Sequence, residues 1–145
     1  MILLAGHSLK SSRPLSIRLI ADELGIPFHF LVKILHRLTK GGMLESTRGA
    51  GGGVRLTRPA SSINLTEVLL MLGEDNQLQG CVLSSGGFCA DHPCPLHEEW
   101  KIEAGRIKNL FAETRLDKLA KRVLDGAGCP TCMPALLGHA SPEHV

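Results

Sequence analysis

The first sixty residues alternate between apolar positions at helical spacing and glycine-bearing breaks. Ser16 can cap a short helix that ends at Gly25, a residue suited to a left-handed stop. Pro27 suits the first turn of the next helix, which Gly41 ends. The apolar positions of this second helix recur at helical spacing: Leu31, Ile34, Leu35 and Leu38. Two short helices joined by a tight glycine turn predict a helix-turn-helix.

A glycine-rich segment follows the second helix. Met43–Thr47 and Val54–Thr57 can each form a strand, and Arg48-Gly-Ala-Gly-Gly-Gly53 lies between them. A hairpin of this kind directly after a helix-turn-helix predicts a winged helix. A phosphate-binding P-loop is excluded, because Val54 and Arg55 stand where Lys and Ser or Thr would be required. A plain flexible loop is the remaining alternative.

Helical patterning returns in the second half of the chain. Asn64 and Glu67 fit a capping box, which predicts a helix start. After a polar stretch, a longer helix carries one apolar stripe: Trp100, Ala104, Ile107 and Phe111. A helix of about 18 residues reaches roughly 27 Å, more than one small domain needs. The stripe is therefore expected to pair with a second copy of the chain.

These patterns predict a mainly α (α+β) fold, a winged helix-turn-helix domain with a long C-terminal dimerisation helix. We expect a DNA-binding domain over residues 1–74 with a truncated first helix, and a cysteine-rich loop over 75–97. The dimerisation helix and a final short helix would occupy 98–125, before a flexible tail over 126–145. Neither a transmembrane run nor a signal peptide is recognisable. The expected location is therefore the cytoplasm, with no membrane partner.

Charge is unevenly distributed along the chain. Residues 1–58 carry nine basic and three acidic side chains, a net charge of +6. Because the whole chain has a net charge of +2, the remainder carries −4. A basic first half favours a DNA-facing module, although two differently solvated faces would give the same count.

Four soft ligands lie close together in the middle of the chain: Cys81, Cys89, Cys94 and His97. Cys94 lies between two prolines. If Pro95 is the first helical residue, Cys94 is the N-cap and His97 is the third residue of the helix, so their side chains converge. A helix N-terminus also favours thiolates. The donor set suits an iron–sulfur cluster or zinc, and a metal-free thiol switch is the third alternative.

Cys129 and Cys132 form a second, shorter thiol pair in the tail. They are either incidental or an accessory thiol switch or metal-handling pair, because no thioredoxin-like setting surrounds them. The total of five cysteines argues against a disulfide framework. No nucleophile–base arrangement or cofactor fingerprint is present, so an enzyme is not expected.

The chain resembles the winged-helix regulators typified by IscR and NsrR. The resemblance rests on IADELGIP, on L-x-x-I-L-x-x-L in the second helix, on S-x-R-G-x-G-G-G in the wing and on I-N-L-x-E-V-L. It implies a homodimeric transcription regulator that binds double-stranded DNA at a palindromic operator and senses iron–sulfur, redox or nitric oxide status. It also implies an iron–sulfur cluster, with 2Fe–2S favoured because IscR-like relatives use a His placed as His97 is. A 4Fe–4S cluster is the alternative.

Candidate DNA contacts follow from helix-turn-helix geometry, in which the second helix enters the major groove. The candidates for base edges are Phe28, His29, Lys33 and Arg37. Only one of Phe28 and Phe30 is expected to face DNA, the other being partly core. Arg48 at the wing tip suits a minor groove, and Lys40 and Arg55 suit phosphate contacts.

Overall fold

The computed structural model describes residues 1–49, 51–73 and 95–127. These residues form two compact units. Of the described residues, the first unit contains those within 1–63 and 115–127, and the second contains those within 64–73 and 95–114. These units cut the chain at different points from the segments expected from the sequence.

The first unit holds four α-helices and one hairpin: α1 Ile2–Lys10, α2 Ile17–Leu24, α3 Phe28–Lys40, β1 Leu44–Thr47, β2 Gly53–Leu56 and, after the second unit, α6 Leu116–Arg122. A 3₁₀ turn, Ala60–Ser62, follows the hairpin. The second unit holds α4 Leu65–Leu72 and α5 His97–Glu113. No helix in the described ranges has the length and apolar character needed to cross a membrane.

The helix-turn-helix prediction is confirmed. Gly25 ends α2 in the left-handed conformation with φ +60°, which costs glycine nothing. Ser16 occupies the N-cap of α2 but makes no side-chain capping bond, and Pro27 is the N-cap of α3 rather than its first helical residue. Leu31, Leu35 and Leu38 form the buried face of α3.

The wing is an antiparallel pair in which Leu44 lies opposite Leu56 and Thr47 opposite Gly53. The first strand begins one residue later than predicted and ends at Thr47 as predicted, and the second lies one residue earlier than predicted. A third segment joins the hairpin, because the N–H of Leu15 donates to the carbonyl of Val54 and the N–H of Val54 to that of Leu15, both at 2.9 Å. This bridge attaches the wing to the chain that enters α2.

The final helix packs with the first. α6 lies against α1, and Leu116 and Ala120 are fully buried. The N–H of Leu116 donates to the carbonyl of Ile63 at 3.0 Å, which closes the first unit after the chain returns from the second. The sequence patterns grouped α6 with the dimerisation helix, whereas its packing assigns it to the winged unit.

The capping box predicted for α4 is confirmed. The N–H of Glu67 donates to Oδ1 of Asn64 at 2.9 Å, and the N–H of Asn64 donates to Oε1 of Glu67 at 3.2 Å. The N–H of Leu65 donates to the carbonyl of Thr114, and α4 packs against α5. The start of α4 is thereby joined to the end of α5.

Candidate DNA-binding surface and metal-binding segment

The outer face of α3 is cationic. Its inner face is apolar and buried, and its charged side chains lie on the opposite side of the helix. No acidic residue occurs in α3. The predicted contacts on this helix are all exposed: Phe28, His29, Lys33, Arg37 and Lys40. A row of cations without a neighbouring carboxylate on the same helix suits a polyanionic partner.

His36 was missed from the sequence. It is exposed, and it lies one turn from Lys33 and Lys40 on the outer face of α3. Its position seven residues after His29 places both imidazoles on the same side. The helical spacing already present in the sequence could have identified it.

The N-terminus of α3 presents two aromatic rings. Phe28 is 46% exposed and Phe30 is 53% exposed. The expectation that one of them is partly core is wrong, because both rings are largely exposed while Leu31, Leu35 and Leu38 are buried. The Arg18 guanidinium of α2 lies over the Phe28 ring, 5.5 Å from its centroid, a cation–π contact. Sequence spacing gave no signal for this contact, because it joins two helices across the turn.

The wing places its two arginines differently. Arg48 is exposed at the tip, directly before Gly49, whose φ of +98° forms part of the turn. Arg55 lies opposite Glu45 in the strand register, and its Nε forms an ion pair with Oε1 of that residue. Arg48 can therefore extend outward from the wing. Arg55 could contact a phosphate only by weakening or breaking its ion pair with Glu45.

The predicted metal ligands lie mostly outside the described residues. Cys81, Cys89 and Cys94 do so, as do Cys129 and Cys132. His97 is described: its side chain is 31% exposed, and its Nε2 lies 4.0 Å from Oε1 of Glu98. Within residues 1–49, 51–73 and 95–127, no three His, Cys, Asp or Glu side chains converge as a metal site.

The capping geometry predicted for this segment is wrong. Leu96 is the N-cap of α5, and His97 is the first helical residue rather than the third. Pro95 and Leu96 form a turn before the helix. The capping-box argument for bringing Cys94 toward His97 required Pro95 as the first helical residue, so it no longer applies; Cys94 itself lies outside the described residues. Their pairing depends on closeness in sequence and on the chemistry of the donor set.

The stripe expected for dimerisation is the least exposed side of α5. Ala104 is buried, and Trp100, Ile107 and Phe111 are half-buried, with α4 packed against this helix. Two other apolar side chains of α5 are largely exposed, Ile102 at 56% and Leu110 at 61%. Their exposure leaves apolar surface on α5 beyond the stripe.

Comparison with known proteins agrees with this architecture. The family model of Rrf2, described as an iron-dependent transcriptional regulator, matches residues 1–122. The transcriptional regulator IscR of Photorhabdus laumondii is 32% identical over 130 residues, which cover 88% of this chain and 77% of that protein.

Two solved structures share the fold. The structure of CymR, the global cysteine regulator of B. subtilis, matches with a TM-score of 0.66 at 24% identity, and the match covers 83% of this chain and 86% of CymR. IscR of T. potens matches with a TM-score of 0.65 at 21% identity, and the match covers 88% of this chain and 82% of that protein. These matches are regulators and not enzymes, and the chain belongs to the Rrf2 family of transcriptional regulators.

Proposed function

We propose that this protein regulates transcription as a cytoplasmic homodimer that binds a palindromic operator through α3 and the wing. An iron–sulfur cluster on Cys81, Cys89, Cys94 and His97 would control that binding. The observation that carries the DNA-binding proposal is the exposed cationic face of α3, backed by a fully apolar inner face.

The recognition helix would lie in the major groove. Its thirteen residues span about 20 Å, enough to cross a groove roughly 12 Å wide. The N-terminal residues Phe28 and His29 would meet base edges, and an exposed ring suits contact with a thymine methyl group. Lys33 and Arg37 would follow along the groove, and Lys40 at the helix end would contact a phosphate.

The wing would reach the neighbouring minor groove. Arg48 extends from its tip, and narrow A·T-rich minor grooves attract arginine. The pairing of Leu15 with Val54 holds β2 against the segment that enters α2, which fixes the position of the wing relative to the helix-turn-helix. This rigidity would let Arg48 and α3 read adjacent parts of one site.

Dimerisation would place two recognition helices on two half-sites about one helical turn apart. Exposed apolar side chains on α4 and α5 support a helical interface: Leu70, Met71, Ile102 and Leu110. The Trp100–Phe111 stripe would extend this interface. A two-fold dimer requires an operator with matching two-fold symmetry.

The donor set fits an iron–sulfur cluster, because thiolates hold cluster irons and histidine can replace one of them. The family description as iron-dependent and the similarity to IscR support this choice over zinc. When bound, the cluster would supply a centre that changes with iron supply or oxidation. His97 would link it to the dimer helix, because this residue is the first of α5.

Anaerobic purification tests the cluster directly. We expect coloured protein with iron and acid-labile sulfide in near-equal amounts, and Mössbauer spectra that distinguish 2Fe–2S from 4Fe–4S. Colourless protein without either element contradicts the proposal. Zinc in their place identifies a zinc site, and metal-free protein with reversible thiol oxidation identifies a thiol switch.

Replacing Arg48 with alanine tests the DNA-binding surface. We expect operator affinity to fall by about 1–3 kcal/mol, with lost preference for A·T pairs beside the half-site. Fluorescence anisotropy over a range of salt concentrations measures both effects. Arg106→Ala is the matched control, because Arg106 is an exposed arginine of α5 that pairs with Glu103. Equal affinities for the two variants would contradict a wing contact.

Arg18 is expected to position Phe28 for base contact. The guanidinium covers one face of the ring, so removing either group frees the other from its packed orientation. In a double-mutant cycle of Arg18→Ala and Phe28→Ala, we expect a coupling of about 0.5–1 kcal/mol in operator affinity. Arg18→Lys keeps the charge and loses the planar stack, so the salt dependence should stay while the coupling falls. Strictly additive losses would show that the two side chains act independently.

A further inference from the structure

A cleft of about 490 Å³ lies in the first unit, beside the base of the wing. Its walls are formed by α1, the segment 11–13, β2 with the segment after it, and α6. No residue of α2 or α3 lines it. The volume lies within the range of small-molecule sites, which run from roughly 300 to 1,000 Å³.

The cleft is lined by an excess of positive charge. Four cationic side chains face one carboxylate, that of Asp117: Arg13, Arg55, Arg58 and Lys121. Arg55 pairs with Glu45, and Nζ of Lys121 lies 3.5 Å from Oδ2 of Asp117. With Asp117 and Glu45 both counted against these four cations, an excess of two positive charges remains, which favours an anionic ligand.

Arg13 is the cation best placed to bind such a ligand. Its backbone N–H donates to Oγ of Ser11 at 3.1 Å, and its carbonyl accepts from Nε2 of His7 at 2.9 Å. Both backbone groups are therefore satisfied locally, which holds the turn in place. Its guanidinium has no partner in the described part of the chain, and a guanidinium binds carboxylate or phosphate oxygens in a bidentate manner. The hydroxyls of Ser12 and Ser61 line the same cleft.

We propose that this cleft binds a small molecule bearing a phosphate or carboxylate group, and that binding alters the wing. Arg13 lies two residues before Leu15, whose backbone pairs with Val54 of β2. A ligand that draws Arg13 toward the cleft acts on the bridge that attaches the wing. Ligand binding itself is independent of the proposed function, whereas its effect on operator affinity rests on that function.

Amide NMR of the full-length protein tests ligand binding, with inorganic phosphate and succinate as separate probes. We expect saturable shifts of the Ser11–Arg13 and Thr57–Ser61 amides with at least one probe, at up to ~10 mM. The probe that binds distinguishes phosphate from carboxylate recognition. Arg13→Ala should weaken binding by about tenfold or more, and Arg13→Lys by less, because lysine lacks the planar fork. Arg106→Ala is the matched control and should leave these shifts unchanged, because Arg106 is an exposed arginine of α5 that does not line the cleft.

Chemical-shift changes confined to α3 and the wing tip would overturn the proposal. Unchanged binding in Arg13→Ala, or no shift changes with either probe, would also overturn it. Operator affinity is measured in parallel on the same preparations. The probe should change it in the wild-type protein and not in Arg13→Ala, since coupling between two sites is reciprocal. If Arg13→Ala binds the operator normally without a probe, failure of the cleft proposal leaves the DNA-binding proposal intact.

Discussion

Replacing Gly53 with alanine is expected to separate the wing from the helix-turn-helix. A Cβ at this position would lie 2.2 Å from the carbonyl oxygen of Leu15 and 2.9 Å from the backbone nitrogen of Ser16. Both atoms belong to backbone, so no flexible side chain can move aside. Relief requires the Leu15–Val54 bridge to open, and we expect the free energy of unfolding to fall by about 3–5 kcal/mol. Chemical denaturation measures this loss.

Operator affinity should fall with the same substitution, because the wing no longer holds Arg48 in a fixed position relative to α3. Gly105→Ala is the matched control. Gly105 lies in α5 with open space around its Cβ position, so alanine should stabilise the helix by about 0.5–1 kcal/mol. A Gly53→Ala protein with wild-type stability would show that the close approach to Leu15 does not exist in solution.

Replacing Cys89 or Cys94 with serine is expected to abolish the iron–sulfur cluster. The thiolate is the ligand, and a serine hydroxyl stays protonated where a cysteine thiol does not. Iron and acid-labile sulfide in anaerobically purified protein should fall to background. His97→Cys should retain the cluster and lower its reduction potential, because histidine ligation raises the potential of such clusters. Spectroelectrochemical titration measures that shift.

The tail cysteines provide the matched control for the cluster variants. Cys129→Ser and Cys132→Ser remove thiols from the same chain without touching the proposed ligands, so iron content should remain at the wild-type level. Loss of iron in these variants would show that the tail cysteines contribute ligands to the cluster. Full iron content in Cys94→Ser would remove that residue from the set.

Features encoded by neighbouring residues were predicted well. The turn at Gly25, the apolar spacing of α3 and the capping box of Asn64 and Glu67 all depend on residues within a few positions of one another. The wing follows from glycines between two short strands, and pairing shifted its bounds by one residue. Local conformational preferences decide such features, so an isolated sequence carries them.

The predicted start of α5 shows where local rules stop. Pro95 was expected to be the first helical residue, yet the helix begins at His97. Proline is compatible both with a first helical turn and with the turn that precedes one, so its presence does not choose between them. The placement of Cys94 relative to His97 depended on that choice.

The sequence by itself determined the elements, the cationic face of α3 and the set of soft ligands. Only the tertiary structure decided that α6 packs on α1, that Arg18 covers Phe28, that Arg55 pairs with Glu45, and that Arg13 lines a cleft at the base of the wing. Each of these contacts joins different elements. The packing of the whole unit selects these contacts, because burial and charge pairing depend on which surfaces meet. The periodicity of residues along the chain does not predict which surfaces those are.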